Sequence, residues 1–373
     1  MPHYNIQMSL PDIDESDIKG VVEVVRSGRL ALGRKTEEFE IMVAQYAGVR
    51  HGIAVSSGTA ALHLIVRSLG IGRGDGVLVP SFTFAASVNA FLYEGAEPVF
   101  VEIEPETYNL DTTDLKTKIT SKTKAIMAVD VFGHPAEWDA IKRIAEKYNL
   151  YVIDDSCEAI GAEYRGKKLG SFGDAAAFAF YPNKQMTTGE GGIIVSDDDE
   201  IAALCRSMRN QGRGEMGSWL EHDRLGYNYR IDELSSALGL SQFTRLESLL
   251  DKRNNVAQMY TERLQRFDWL QTPQVKPHVR MSWFVYVVTL AEGFDRDIII
   301  TEMEKEGIPA RGYFSPVHTQ KYIQELFGDL SGTLSVTENI AKRTLALPFH
   351  NNLTFEEVET VVEVLKHAVM KYA

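Results

Sequence analysis

Cysteine is nearly absent. Cys157 and Cys205 are the only two in 373 residues, far apart, with no CxxC spacing and no paired histidine ligands nearby. A disulfide framework or a zinc site has no support in such a chain, no metal is expected, and a reducing cytoplasm is the expected setting. Long apolar runs are missing too: none approaches the roughly 20 residues needed to cross a bilayer. Met1 to Pro11 lack the basic-then-apolar order of a signal peptide. Positive charge is in deficit, with 39 Lys and Arg against 52 Asp and Glu for a net −13. Without a basic patch, this balance argues against nucleic acid or a membrane surface as a partner. Repeats and low-complexity segments are also absent.

What is present is an ordinary globular composition, 44% hydrophobic and 24% charged, in a chain longer than one common domain. A large α/β unit with a smaller second domain is expected. From about Gly52 short apolar runs alternate with amphipathic stretches, as β-α units around a mostly parallel sheet do. Ile53 to Ser57, Val77 to Val79, Pro98 to Ile103, Ala125 to Val131, Tyr151 to Ile153, Ala175 to Phe180 and Gly192 to Ser196 read as strands. Leu62, Ile65, Val66 and Leu69 share one helical face, with Gly70 as a stop. Trp138, Ile141, Ala145 and Tyr148 mark another helix. The doubly wound class follows. A long helical stretch from Glu233 to about Leu264 reads as the link between domains, and Met281 to Leu290 as a β-rich run. The expected division is a large domain over 12–250 and an α+β domain over 251–373, with residues 1–11 packed on the body.

Four strand ends carry polar or aromatic groups suited to chemistry. Lys184 follows an apolar strand and precedes the Gly-rich Gly189-Glu190-Gly191-Gly192. An amine that forms a Schiff base must lose its proton easily, and a desolvated strand end favours that. Asp154 and Asp155 close another strand at the carboxyl edge where open α/β sheets place ligands. Neighbours on a strand face opposite ways, so one acid can face a site while the other faces protein or solvent. Ser56-Ser57-Gly58-Thr59-Ala60-Ala61 opens a helix, as an ordinary N-cap or as an anion site on free N-H groups. Phe84, after Pro80-Ser81-Phe82-Thr83, is either core or a ring placed to stack on a flat ligand.

In this order the motifs resemble the sugar aminotransferases of the DegT/DnrJ/EryC1/StrS family, fold type I enzymes that use pyridoxal 5'-phosphate. The resemblance covers nearly the whole chain. It runs from Ser27-Gly28-Arg29-Leu30-Ala31-Leu32-Gly33 through Ser57-Gly58-Thr59-Ala60-Ala61-Leu62, Asp155-Ser156-Cys157-Glu158-Ala159 and Lys184. It continues to Tyr227-Asn228-Tyr229-Arg230, Pro316-Val317-His318 and Leu347-Pro348-Phe349-His350. It implies a three-layer fold with a large, mostly parallel sheet domain and a smaller C-terminal α+β domain.

Carried over residue by residue, the resemblance makes Lys184 the Schiff-base lysine and proton carrier and Asp155 the partner of the pyridine nitrogen. Gly58, Thr59 and Ala60 become the phosphate-binding helix start, and Phe84 the stacking ring. Glu158 stands where many members carry a Gln that meets the cofactor 3'-oxygen; Glu occurs in members that aminate GDP-linked sugars. Asn228 becomes a phosphate ligand reaching the neighbouring subunit of a homodimer. Arg230, Tyr313 and His318 become substrate-side candidates. One departure is Ala179, where many members place a phosphate-binding Ser. Its loss puts more weight on backbone amides, Asn228 and Gln185, and bears on cofactor affinity.

The implied reaction moves the amino group of glutamate to a nucleotide-linked 4-keto-6-deoxy sugar, for a surface polysaccharide or glycoside. Its rivals are amination of a 3-keto sugar, the family's sugar dehydratase branch, and a cofactor-binding regulator without turnover. The dehydratase branch carries His at the lysine position, and Lys184 argues against it.

Overall fold

The computed structural model describes residues 4, 6–214 and 221–372; Met1, Pro2, His3 and Asn5 of the N-terminal segment and Ala373 lie outside it. Its centre is a seven-stranded sheet of β1 (His51–Val55), β2 (Gly76–Pro80), β3 (Glu97–Val101), β4 (Thr123–Val129), β5 (Tyr151–Asp155), β8 (Ala175–Ala179) and β9 (Gly192–Ser196). The spatial order is β1-β9-β8-β5-β4-β2-β3. β3, β2, β4, β5 and β8 pair in parallel. β9 runs antiparallel to both of its neighbours, β8 and β1. Between β5 and β8 the short β6 (Glu163–Tyr164) and β7 (Lys167–Lys168) form a small separate sheet with β11 (Val279–Arg280).

Strand alternation divides the apolar runs between two faces. Val77, Val79, Ala125, Met127 and Ile153 enter one core, while Leu78, Ile126, Ala128 and Val152 enter another on the opposite side. The first is covered by α3 (Gly58–Ser68), α4 (Ala85–Leu92) and α7 (Asp199–Arg209), the second by α6 (Trp138–Tyr148), which follows the short α5 (Thr112–Thr117). Burial on both faces is why these strands read as continuous apolar runs. α1 (Glu15–Ser27) and α2 (Arg34–Ala47) precede the sheet and pack on α8 (Glu233–Thr244).

The expected helix from Glu233 to Leu264 is two helices. α8 ends at Arg245 (φ −106°, ψ 4°) and α9 (Leu246–Leu264) follows at once. Arg245 is tied to the N-terminal acids, 2.7 Å to Asp17 and 3.0 Å to Asp14. α9 places Leu246, Leu249 and Leu250 in a core with Phe39 and Phe180. Further along, its Val256, Ala257, Tyr260 and Leu264 enter a different core. That second core belongs to a three-stranded sheet of β10 (Leu270–Gln271), β12 (Tyr286–Leu290) and β13 (Thr344–Leu347). α10 (Arg296–Lys305) and α13 (Phe355–Met370) pack against it, and α11 (Lys321–Phe327) and α12 (Ser335–Arg343) lie between them in the chain. Ile6 enters the same core and Met8 accepts the Phe349 N-H at 2.9 Å, so the N-terminal segment lies against this sheet.

The β-rich run expected from Met281 forms a strand only from Tyr286. Ser282 and Phe284 instead donate their N-H groups to Gly133 (2.9 Å) and Phe132 (3.2 Å), across to the loop after β4. That diversion brings Phe284 to the edge of the large sheet.

Candidate active site

The loops at the carboxyl ends of β1, β2, β4, β5 and β8 line one cavity of about 430 Å³, the sheet edge at which open α/β folds bind ligands. Because β9 is antiparallel, its start also lies there and contributes Gly191.

At the end of β1, Ser57 caps α3 by accepting the Ala60 N-H at 3.1 Å. The capping reading therefore holds for Ser57 and Ala60, and it leaves the N-H groups of Gly58 and Thr59 outside the cap. Ala60 is spent on the cap, whereas Gly58 and Thr59 line the cavity and open the helix, where N-H groups have no intrahelical acceptor. A side chain at position 58 has no room, since a Cβ there would lie 2.7 Å from the Ala179 Cβ and 2.9 Å from the Cys157 Sγ. Small residues thus bring backbone close to any anion at the helix start.

Strand alternation separates the two acids of β5. Asp155 faces the cavity, accepting from Ser87 Oγ at 2.6 Å and from the Cys157 N-H at 3.2 Å. Thr83 bonds Ser87 in turn at 2.8 Å, so α4 orients the carboxylate through a two-hydroxyl relay. Asp154 points into the protein, where it accepts the Gly170 N-H at 3.2 Å. Ser156 Oγ lies 2.6 Å from Asp154 and 2.7 Å from Asp130, both fully buried. One hydroxyl proton cannot serve two carboxylates, so the pair holds a proton of its own. Burial, and then the charge of Asp154, push Asp130 well above the usual carboxylate range, and burial raises Asp154 to about 6.

Lys184 lies in the loop that leaves β8 and returns as β9. Its Nζ stands 3.6 Å from Glu158 Oε1 and 3.8 Å from the centre of the Phe284 ring. Glu158 Oε2 accepts the Phe132 N-H at 3.0 Å. Burial raises the Glu158 pKa while the neighbouring Lys184 opposes the rise. Phe84 lines the cavity with 65% of its surface exposed, which settles the sequence alternative against a core role. Tyr313 lines the same cavity.

Other candidates lie elsewhere. His318 is fully buried, with Ser81 Oγ 2.6 Å from Nδ1 and Glu338 3.0 Å from Nε2. Both ring nitrogens are taken, so a substrate-side role is corrected to a structural one. Gln185 is not a phosphate ligand, because its side-chain amide donates to the backbone carbonyls of Glu158 (2.6 Å) and Ser282 (2.9 Å). Asn228 and Arg230 are absent from the cavity lining of their own chain. Tyr227 and Tyr229 stack with ring centres 4.9 Å apart and bond Glu94 (3.2 Å) and His63 (3.1 Å). Asn228 between them is exposed, and Arg230 bonds Asn210 at 3.0 Å. Phe284 and the Thr83-Ser87 relay escape sequence reasoning. The relay has a faint signal in its i, i+4 spacing at a helix start; Phe284 has none.

A buried acid, a helix start of small residues, an exposed ring and an amine line one cavity, a set that suits a phosphorylated aromatic aldehyde. The donor set fits pyridoxal phosphate: N-H groups at Gly58 and Thr59, a carboxylate at Asp155, an amine at Lys184. The site and fold thus define a class, the pyridoxal-phosphate-dependent aminotransferases. A model of the DegT/DnrJ/EryC1/StrS aminotransferase family matches residues 11–366, and the chain belongs to that family. The GDP-perosamine synthase of Caulobacter vibrioides is 39% identical over 98% of both chains. The UDP-N-acetyl-3-dehydro-alpha-D-glucosamine 3-aminotransferase of Acidithiobacillus ferrooxidans is 34% identical over 99% of this chain and 98% of its own. Among solved structures, the PLP form of the putative sugar aminotransferase Spr1654 of Streptococcus pneumoniae superposes with a TM-score of 0.94. It is 30% identical and is covered in full by 99% of this chain.

Proposed function

We propose that this aminotransferase moves the amino group of glutamate to the C4 keto group of a nucleotide-linked 4-keto-6-deoxy sugar, as a homodimer with shared active sites. The carrying observation is the Lys184 amine, set between Glu158 and Phe284 in a cavity that Asp155 also faces. Pyridoxal phosphate, when bound, supplies the electron sink. Gly58 and Thr59 would hold its phosphate, Phe84 would cover its ring, Asp155 would pair with its ring nitrogen and Glu158 would face its 3'-oxygen. Lys184 would carry it and hold or move the substrate proton. Asn228 is exposed on a segment whose flanking tyrosines are anchored, which suits a contact to the partner's phosphate; Arg230 and Tyr313 serve the substrate. The enzyme works in the cytoplasm, a setting supported by its two unpaired cysteines. Among the described residues no helix is long and apolar enough to cross a membrane.

The test uses 15N-glutamate with GDP-, UDP- and dTDP-linked 4-keto-6-deoxy sugars and 3-keto sugars. The expected result is label at C4, fastest with the GDP-linked acceptor, the nucleotide named in the Caulobacter relative. Label at C3 of a UDP-linked sugar would instead favour the reading suggested by the Acidithiobacillus relative. No transfer to any acceptor would defeat both. Borohydride reduction and peptide mapping should place the pyridoxyl group on Lys184.

A further inference from the structure

Arg253, on α9, is 1% exposed and, among the described residues, forms no ion pair within 4 Å. Burying a cation without a carboxylate is costly unless its donors find other partners. Its partners are backbone carbonyls. Nη2 donates to Lys184 O at 2.8 Å and Asn183 O at 3.1 Å, and Nη1 to Phe284 O at 3.3 Å. The guanidinium also stacks over Phe349, 5.4 Å from the ring centre. Burial draws its pKa down to about 10, so it remains a cation at neutral pH.

Gln185 makes the complementary connection. Its Nε2 donates to the carbonyls of Glu158 and Ser282. The two groups flanking the Lys184 amine are the Glu158 carboxylate and the Phe284 ring. Each is tied through its own backbone carbonyl to the lysine loop, Glu158 by Gln185 and Phe284 by Arg253. Two closed circuits result, and both pass through the amine.

We propose that Arg253 and Gln185 are positioning residues that strap the Lys184 loop to its two neighbours and thereby hold the amine between the Glu158 carboxylate and the Phe284 face. The assignment rests on the reading of Lys184 as the cofactor-bearing amine. Two separate nitrogens of the planar guanidinium serve the Phe284 carbonyl and the Asn183 and Lys184 carbonyls, so lysine at position 253 keeps the charge but, with all its donors on one nitrogen, loses that fork. The strap acts through the placement of another group, and a misplacement of about 1 Å at a reacting centre can cost on the order of a hundredfold in rate.

The full-length chain carrying Arg253→Lys is tested with and without cofactor. In the cofactor-free protein, trinitrobenzenesulfonate labelling of Lys184, relative to the exposed Lys321, is followed by mass spectrometry. Release of the strap should raise that ratio about threefold or more, since the amine gains access and alternative rotamers. In the loaded enzyme kcat should fall about tenfold to a hundredfold, with the KM for glutamate within about twofold, because positioning acts on the chemical step. Arg253→Lys that merely lowers the melting temperature, with wild-type labelling ratio and kcat, overturns the strap. Should Arg253→Lys fail to fold, Gln185→Met severs the other circuit and is held to the same two readouts. A pyridoxyl group mapped to a different lysine in the wild type overturns the underlying reading of Lys184 instead, and the two failures are thereby told apart.

Discussion

Lys184 Nζ and Glu158 Oε1 stand 3.6 Å apart, a carboxylate beside the one amine of the cavity. Glu158→Gln keeps the shape and removes the charge. Removing a negative charge beside the bound cofactor disfavours its protonated form. The absorbance titration of the bound cofactor should therefore move to lower pH by about one unit. A titration that stays in place would show that Glu158 does not act on the ring or its amine.

Asp154 and Asp155 are adjacent, yet asparagine should affect them in different ways. Asp155→Asn removes the charge facing the cavity and should cut transamination by about a hundredfold or more with folding intact. Asp154→Asn replaces a member of a proton-sharing pair. The folded pKa of Asp154 is raised, to about 6, so the folded protein binds the extra proton between the ordinary carboxylate range and that value. Stability is then highest below the window and declines as pH rises through it. Asp154→Asn, a neutral mimic of the protonated acid, should flatten that decline, by on the order of 1–3 kcal/mol at pH 7. Urea melts of both proteins from pH 4 to 8 make the comparison, and a uniform loss of stability at every pH would count against the shared proton.

Ala179 lines the cavity beside Gly58 and offers no hydroxyl. Ala179→Ser supplies one donor toward the phosphate cradle. One such bond is worth about 1 kcal/mol, so cofactor Kd should fall about fivefold. Equilibrium dialysis gives the number, and an unchanged or weaker Kd would mean that the phosphate lies away from position 179.

The exposure of Asn228 allows a mixing experiment. Lys184→Ala and Asn228→Ala homodimers should each be impaired at both sites. In a mixed dimer one site collects both defects and the other has neither, because a two-fold axis pairs residues reciprocally. Equal random reassociation makes about half the dimers mixed, so about a quarter of all sites should recover. If activity stays at the parental average while mass confirms exchange, Asn228 serves its own chain.

Much of the site was legible because its residues sit where the period of the sequence changes. Lys184, Asp155 and Gly58 each follow a short apolar strand, and a strand end in a parallel sheet is a place as well as a residue type. The split between Asp154 and Asp155 followed from alternation alone. What stayed hidden depends on pairings between segments remote in the sequence. Met281 to Leu290 has β character throughout, but Ser282 and Phe284 bond the loop after β4, and only that detour places an aromatic face under the amine. His318 looked like a site residue because nothing local reveals Ser81 and Glu338 closing on its two nitrogens. Arg245 interrupts a helical pattern through acids near the N-terminus. Arg253 is one of several charges in that stretch of the sequence, and nothing local marks it as the buried one.

The antiparallel course of β9 has a consequence for loop entropy. Ala179 pairs with Gly192, so the segment bearing the amine is a closed hairpin loop, and its ends meet at the small entropic cost of a short ring. The helix start at Gly58 is of the opposite kind, since it follows β1, which joins the sheet by pairing with β9, and these strands come from the two ends of the sheet-forming sequence. The amine is thus fixed by local closure, while the Gly58 helix start depends on one of the longest-range pairings in the sheet. A chain cut between β1 and β2 would keep the lysine loop intact but would have to recruit the Gly58 helix start as a separate fragment.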